Sequence, residues 1–278
     1  MTDPGIFAVN TYAYTLDRTA LDCVNRLADQ GYGGVELMMH PGHLWPAELD
    51  AGARRAIRRA CEARGLPVVA TNMPNVDINV AAASAEMRDY SLGLLTEFLR
   101  LSGDIGAPAI VVGPGKANPL FPAPRAVLTD RFHAALDRLG PVAEAAGVRL
   151  LLENMPFAFL PDAPGMMAAL DAYGDPRIGV IYDVANAHFI GEDPAEGLRT
   201  VSPRLGLVHV SDTGRAVYRH DPVGRGDVPF AAVPPVLAEI GHRGRTVIEV
   251  ISPDPDADIR DSAARLAALG YRWEPDHG

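Results

Sequence analysis

The sequence predicts an α/β protein with one domain over residues 1–278, a (β/α)8 barrel. Eight short runs rich in Val, Ile and Leu recur along the chain, and a longer segment with helical periodicity follows each of them. A glycine follows most of the helical segments, where a left-handed C-terminal cap is expected. The length of 278 residues is ordinary for one barrel. The alternative, an open doubly wound sheet, is disfavoured because no GxGxxG motif follows the first strand.

The elements follow one another in strict alternation. The predicted strands are residues 6–11, 34–37, 67–71, 109–112, 149–152, 178–182, 205–208 and 245–250. The predicted helices are residues 21–30, 47–64, 83–105, 124–146, 165–173, 194–201, 230–240 and 259–269. The glycines at the predicted helix ends are Gly31, Gly65, Gly106, Gly147, Gly174, Gly241 and Gly270. Pro124 and Pro194 lie near helix starts, where a missing N–H group costs nothing.

The composition favours a soluble enzyme with a small-molecule substrate. The chain is 48% hydrophobic and has a formal net charge of −10. This acidic balance argues against a nucleic-acid partner, because phosphate binding needs basic residues. Cys23 and Cys61 lie in predicted helices and cannot form a disulfide framework, which favours a cytoplasmic location. No membrane span of roughly 18 apolar residues and no signal-peptide pattern is found.

Four polar residues stand at the C-terminal ends of strands five to eight. Glu153 ends RLLLE, Asp183 ends GVIYD, His209 ends LGLVH, and Glu249 lies within TVIEV. A polar group at the end of a buried strand is costly without a partner. Since the C-terminal strand ends of a (β/α)8 barrel build its active site, we expect the four groups to converge. Three carboxylates and one imidazole can bind one divalent cation.

Longer motifs surround these four residues. They are LLENMP at 151–156, YDVANAHF at 182–189, HVSDTGR at 209–215 and VIEV at 247–250, with GGVEL at 33–37 and VGRGDVPF at 223–230 as looser features. In these motifs, and over essentially the whole chain, the sequence resembles the xylose-isomerase-like TIM barrels. That family comprises sugar isomerases and epimerases and also includes inosose dehydratases and endonuclease-IV-type enzymes (AP endonuclease family 2).

The resemblance implies one divalent metal ion held by Glu153, Asp183, His209 and Glu249. Mn²⁺, Mg²⁺ or Co²⁺ is expected, with Zn²⁺ as an alternative. The resemblance also implies that Glu153 and Glu249 act on opposite sides of the substrate, one removing and one returning a proton at carbon. The chemistry is consistent, because a cation on a ketone or hydroxyl oxygen stabilises the enediolate charge that forms when the adjacent carbon loses a proton.

Two departures from the family pattern bear on the substrate. Asn186 stands where many of the sugar epimerases have a histidine, three residues after the strand-six aspartate, and a histidine follows at His188 instead. An asparagine can hydrogen-bond a hydroxyl group but cannot shuttle a proton. Phe159 stands where the ketose epimerases tend to carry a second glutamate. These changes argue against a simple ketohexose epimerase and allow a less polar substrate.

The trinuclear zinc site of the endonuclease branch is not expected in this chain. ATNMPN at strand three and VVGPGK at strand four contain no histidine, and GRGDVP lacks the Asp-x-His pair of that branch. Together with the acidic charge, these absences disfavour DNA repair.

Further residues are predicted to contact the substrate. They are Asn186, His188, Arg215, Glu36, Asn72 and His43, the last in a loop that could form a lid. Arg215 matches a position that contacts substrate oxygens in the family, with a loop ion pair as the alternative. Glu36 is expected to orient the substrate or a histidine, or to pair with an arginine. Asn10 and Asn75 are additional hydroxyl partners. Lys116 would suit a Schiff-base aldolase, but its loop looks exposed, and nothing there would lower its pKa.

The sequence therefore predicts a divalent-metal-dependent isomerase or epimerase that acts on a sugar, polyol or related hydroxy-ketone, with Glu153 and Glu249 as the catalytic pair. The alternative is a lyase or dehydratase on the same scaffold, acting on a keto-polyol or an oxidised glycoside and expelling a leaving group after enolisation. A non-catalytic sugar-binding barrel is disfavoured by the intact ligand set. The sequence is compatible with a homo-oligomer.

Overall fold

The predicted barrel is confirmed. The computed structural model describes residues 3–74 and 77–273, which form a closed barrel of eight parallel strands in sequence order. The strands are β1 (Phe7–Asn10), β2 (Gly34–Met38), β3 (Val68–Asn72), β4 (Ala109–Val112), β5 (Arg149–Glu153), β6 (Gly179–Asp183), β7 (Leu205–Val210) and β8 (Thr246–Ile248). Closure leaves no unpaired sheet edge, and it brings all C-terminal strand ends to one face.

The helices of the described residues surround the strands. They are α1 (Ala20–Asp29), α2 (Ala51–Arg64), α3 (Ala85–Ile105), α4 (Arg125–Ala146), α5 (Ala163–Tyr173), α6 (Val184–Ile190), α7 (Pro194–Val201), α8 (Val233–Glu239) and α9 (Pro255–Ala268). Helix α6 was not predicted. The predicted helix 230–240 is divided into a 3₁₀ turn, Phe230–Ala232, and α8. Prolines 234 and 235 lack N–H donors, so they fit only the first turn of a new helix. None of the described helices is long and apolar enough to cross a membrane.

The helix ends follow the predicted chemistry. All seven glycines named above have positive φ angles, between 62° and 96°. Pro124 directly precedes α4, and Pro194 is the first residue of α7. At the start of α2, the side chain of Asp50 accepts a hydrogen bond from the backbone N–H of Ala53, which satisfies one of the donors left free at a helix N-terminus.

Two apolar clusters form the core. The larger cluster lies between the strands and the helices. The smaller one consists of buried strand residues that fill the barrel interior: Ala8, Ala70, Ala109, Val111, Leu151, Ile181, Leu207 and Val247. This interior layer is the floor beneath the C-terminal strand ends.

Candidate metal centre and active site

The strand pattern directs polar side chains onto the apolar floor. Side chains alternate across a strand, so residues two positions apart share a face. Each candidate ligand lies two residues after an interior residue, in the pairs Leu151–Glu153, Ile181–Asp183, Leu207–His209 and Val247–Glu249. The same spacing relates Asn10 to Ala8 and Asn72 to Ala70. The polar layer is therefore a direct consequence of strand periodicity.

The four candidate ligands lie together. One ligand atom from each of Glu153, Asp183, His209 and Glu249 lies within 4.8 Å of the other three. Nδ1 of His209 is 3.4 Å from Oε1 of Glu153 and 3.2 Å from Oε2 of Glu249. The same Nδ1 is 3.9 Å from Oδ2 of Asp183. All four residues are buried, so the expected convergence is present in the structure.

Two atoms of this cluster point to a cation. Oδ2 of Asp183 and Nδ1 of His209 are buried without a hydrogen-bond partner. Buried polar side-chain atoms nearly always have one, because an unpaired group in the interior is costly. An acceptor oxygen and an imidazole nitrogen that converge on one point form the donor set that a divalent cation completes. The four residues could therefore hold a metal ion.

Asp183 has two structural roles. It is the last residue of β6 and also the N-cap of α6, where its Oδ1 accepts a hydrogen bond of 2.8 Å from the backbone N–H of Asn186. The cap uses one carboxylate oxygen and leaves Oδ2 for the cluster. Asn154 fixes the strand end, because its side chain bonds both the N–H and the carbonyl of Asp183, at 2.7 and 2.9 Å. The sequence signal for α6 was therefore the N-cap aspartate itself.

Glu36 orients the imidazole of His209. Its two carboxylate oxygens lie 3.0 and 3.1 Å from Nε2 of His209, which donates to them. The side-chain amides of Asn10 and Asn72 also donate to Oε1 of Glu36. A carboxylate behind a histidine fixes the tautomer that leaves the other nitrogen free for a metal. Of the alternatives that the sequence left open for Glu36, this geometry matches the orientation of a histidine.

The charges of the cluster perturb one another. Burial raises the pKa of Glu153 to about 8 and that of Asp183 to about 6. Burial also acts to raise the pKa of Glu249, but two nearby imidazoles outweigh it and hold the pKa at about 2. For His209, burial acts to lower the pKa, and the carboxylates of Glu36 and Glu249 raise it well above its ordinary value. A divalent cation at this point would favour the ionised form of all three carboxyl groups.

A cavity of about 400 Å³ opens above the cluster. Its polar lining residues are Tyr12, Asn72, Lys116, Glu153, Asn186, Tyr218, His220 and Glu249, and its apolar ones are Met38, Met73, Met155, Pro156, Phe157 and Ile251. Of the predicted substrate contacts, Asn72 and Asn186 are among these residues. Ordinary ligand pockets have volumes of roughly 300–1,000 Å³, so the cavity suits a small molecule.

Sequence reasoning missed a pair of polar residues on the loop after β7. Nε2 of His220 lies 2.7 Å from the hydroxyl of Tyr218, which donates to Oδ1 of Asn186 at 2.7 Å. Nδ1 of His220 bonds the hydroxyl of Ser211 at 2.9 Å and is 3.4 Å from Oε2 of Glu249. The sequence feature that could have indicated this pair is the Y-x-H spacing shortly after the HVSDTGR motif. The two side chains bring an imidazole and a phenol beside Asn186.

Four of the six predicted substrate contacts, His43, His188, Arg215 and Glu36, lie outside the cavity lining. His43 is buried, with Nε2 2.9 Å from the hydroxyl of Thr11 and Nδ1 2.7 Å from a backbone carbonyl, so both ring nitrogens already have partners. His188 pairs with Asp227 at 2.8 Å. Arg215 is exposed on the loop after β7. Glu36 lies beneath the cluster, so it does not reach the cavity either. Asn75, the additional hydroxyl partner named from the sequence, lies outside the described residues.

Lys116 is less exposed than the sequence suggested. It is half-buried on the loop after β4 and lines the cavity. Burial lowers the pKa of its amine from the ordinary value. The loop is held to the barrel by Asn79, whose side chain bonds both the N–H and the carbonyl of Lys116. Lys116 is therefore placed to contact a bound ligand.

Comparison with known proteins identifies the family of the chain. The family model described as "Xylose isomerase-like TIM barrel" matches residues 24–269. The chain belongs to this family. The Shigella flexneri protein "Fructoselysine 3-epimerase" is 22% identical over 252 residues, which are 87% of this chain and 90% of the relative. The protein "Uncharacterized protein MJ1311" of Methanocaldococcus jannaschii is 23% identical over 202 residues, which are 70% of this chain and 66% of that protein.

A solved structure shows the same fold over nearly the full length. It is described as "D-tagatose 3-epimerase-like protein" and superposes with a TM-score of 0.81 at 20% identity, covering 95% of this chain and 96% of its own. This likeness establishes the family fold, and the chemistry of this family member must be argued from its own residues.

Proposed function

We propose that this protein is a divalent-metal-dependent epimerase that acts on a sugar or a related hydroxy-ketone. The observation that carries the proposal is the position of Glu153 and Glu249. Both carboxyl groups belong to the four-residue cluster, and both line the cavity. They come from strands three positions apart around the barrel, so they approach a bound molecule from different sides.

This arrangement suits the inversion of a carbon next to a carbonyl group. One carboxylate takes the proton from that carbon, the C–H electrons delocalise onto the carbonyl oxygen, and the other carboxyl group returns a proton to the opposite side. A bound cation would stabilise the negative charge that develops on the substrate oxygen. Asn186 and Asn72 provide amide groups for substrate hydroxyls.

The comparisons support the same class. Two of the three proteins named above are described as a fructoselysine 3-epimerase and a D-tagatose 3-epimerase-like protein, and both descriptions refer to position 3 of the sugar. The identity of about one fifth leaves the substrate to be argued from the cavity.

A lyase is the second candidate, and the Tyr218–His220 pair favours it. A leaving group on the carbon beside the enolised position needs a proton donor as it departs, and the phenol and imidazole supply one within the cavity. In that reaction the C–O bond breaks and the carbon is not reprotonated. The two candidates share the first step and differ in the second.

Deuterium exchange tests the proposal. The protein, loaded with Mn²⁺, is incubated in D₂O with a panel of ketoses, aldoses and keto-sugars, and the sugars are recovered for NMR. We expect deuterium at one carbon next to the carbonyl group, with an epimer as the product; a released water or alcohol would select the lyase. The Glu249→Gln variant with bound metal should lose turnover. Full turnover in that variant would remove Glu249 from the mechanism.

A further inference from the structure

The cavity has two chemically different halves. Its inner part consists of buried polar groups around Glu153 and Glu249. Its outer part is apolar, because Phe157 and Ile251 are the most exposed of the apolar lining residues, at 66% and 40%. The buried thioethers of Met38 and Met155 also line the cavity. A ligand that fills both parts must be polar at one end and apolar at the other.

Three rings pack together beside the cavity, and we call Phe157, Phe189 and Tyr218 the aromatic wall. Phe157 and Tyr218 line the cavity, and Phe189 packs against both of them. Phe157 packs edge-on against Tyr218 with ring centroids 5.6 Å apart, and against Phe189 at 6.2 Å. Phe189 and Tyr218 are 5.2 Å apart. Phe157 nevertheless keeps 66% of its surface exposed. The wall therefore holds one aromatic face in place and leaves it open beside the cavity.

The aromatic wall is continuous with the polar cluster. The ring of Tyr218 belongs to the wall, and its hydroxyl bonds Asn186 and His220 at the inner end. A sugar held over the cluster would thus carry any attached group directly onto the wall.

The outer half is a poor partner for a free sugar. Each hydroxyl taken from water needs a hydrogen bond in return, and thioethers and hydrocarbon offer none. Among the described residues, Lys116 is the one lysine or arginine that lines the cavity, and Arg215 is exposed elsewhere on its loop. Aromatic rings, by contrast, pack well on other rings and on methionine sulfur.

We propose that the substrate is a sugar conjugate whose apolar substituent is an aromatic ring that packs on Phe157. This inference rests on the proposed function for the sugar end, and it adds the chemical class of the other end. The wall contacts the ring and not the linking atom, so the proposal covers aryl groups joined through oxygen, nitrogen or carbon.

Matched glycosides provide the test. Phenyl and methyl glycosides of glucose, galactose, mannose and xylose are titrated into the Mg²⁺-loaded protein by saturation-transfer NMR. We expect the phenyl member of at least one pair to bind about tenfold more tightly, with the strongest saturation at its ring protons. Phe157→Ala should abolish this preference, because the phenyl ring loses the surface on which it packs. Tyr90→Ala is the control, because Tyr90 is 64% exposed on α3, outside the cavity lining.

Equal affinity within every pair, no binding of any phenyl glycoside, or an undiminished preference in Phe157→Ala would each overturn the proposal. Since Phe157 is largely exposed, the variant should fold, which circular dichroism checks. The experiment measures the binding of the glycosides and does not depend on their turnover. A phenyl preference without deuterium exchange would therefore contradict only the epimerase, and exchange without a phenyl preference would contradict only this inference.

Discussion

Replacing Glu36 with glutamine should weaken metal binding without touching a ligand. The side chain keeps its shape, but Asn10 and Asn72 both donate to Oε1, so the amide oxygen must take that position. The NH₂ group then faces Nε2 of His209, where Oε2 now lies at 3.1 Å. The amide oxygen at the Oε1 position still accepts from Nε2, which lies 3.0 Å from it. The second acceptor and the negative charge behind the imidazole are lost, so the tautomer that leaves Nδ1 free for a metal is held less firmly.

The magnitude follows from the contacts that are lost. A hydrogen bond to a charged group contributes about 1.5–3 kcal/mol, and a neutral one about 0.5–1.5 kcal/mol. The exchange therefore costs about 1–2 kcal/mol, which raises the metal Kd roughly 5–30-fold. Loss of such an outer hydrogen bond typically costs 10–100-fold in metal affinity, so the upper part of this range is expected.

Chelator competition with Mn²⁺ measures the effect. Glu97→Gln is the matched control, because Glu97 is on the exposed side of α3 and pairs only with Arg100 among the contacts described. A metal Kd within twofold of the unsubstituted protein would refute the orienting role of Glu36. If KM rose at the same time, Glu36 would instead contact the substrate, as the sequence also allowed.

Three further predictions concern the same site. The Asp183→Asn variant keeps an acceptor for the N–H of Asn186 but loses the charge, so it should bind metal more weakly and still form α6. The Asp183→Ala variant also loses the cap, so its free energy of unfolding in chelator should be about 1 kcal/mol lower than that of Asp183→Asn, and equal denaturant midpoints would argue against the cap. The pKa of Glu153 is about 8 against an ordinary 4.5, so the protonated carboxyl group stabilises the metal-free fold fully below pH 4.5, and this contribution is lost as the pH rises to 8. Mn²⁺ should therefore raise Tm more at pH 8 than at pH 5.5, and equal increases at the two pH values would contradict the assignment. Arg215→Ala should leave KM within about twofold because the side chain is exposed outside the cavity, whereas a tenfold rise would restore its predicted contact with substrate.

The barrel and the convergence of the four groups were predictable because both follow from periodicity. Alternation along each strand places Glu153, Asp183 and His209 on the same face as the apolar residues two positions before them. The pattern of strands then fixes which ends meet, without any information about loops.

The loops were less predictable because tertiary contacts decide their course. His220 reaches the cavity through an antiparallel bridge between Asp212 and Asp221, which folds the loop after β7 back over the barrel. His43 points the other way and bonds Thr11. Nothing in the local sequence distinguishes these two histidines, since each lies in a polar loop after a strand.

The boundaries of some elements also depended on single residues. Helix α6 starts at Val184 because Asp183 caps it, although the apolar run before Asp183 reads only as a strand. Strand β8 ends at Ile248, one residue before Glu249, so this ligand lies just beyond the regular pairing.

The central claim is that Glu153, Asp183, His209 and Glu249 bind one divalent cation. Anomalous diffraction from crystals of the Mn²⁺-soaked protein tests it most directly. The account predicts a single strong peak within bonding distance of Oδ2 of Asp183 and Nδ1 of His209, the two buried atoms without partners. A peak at any other place, or three peaks in the barrel mouth, would contradict it.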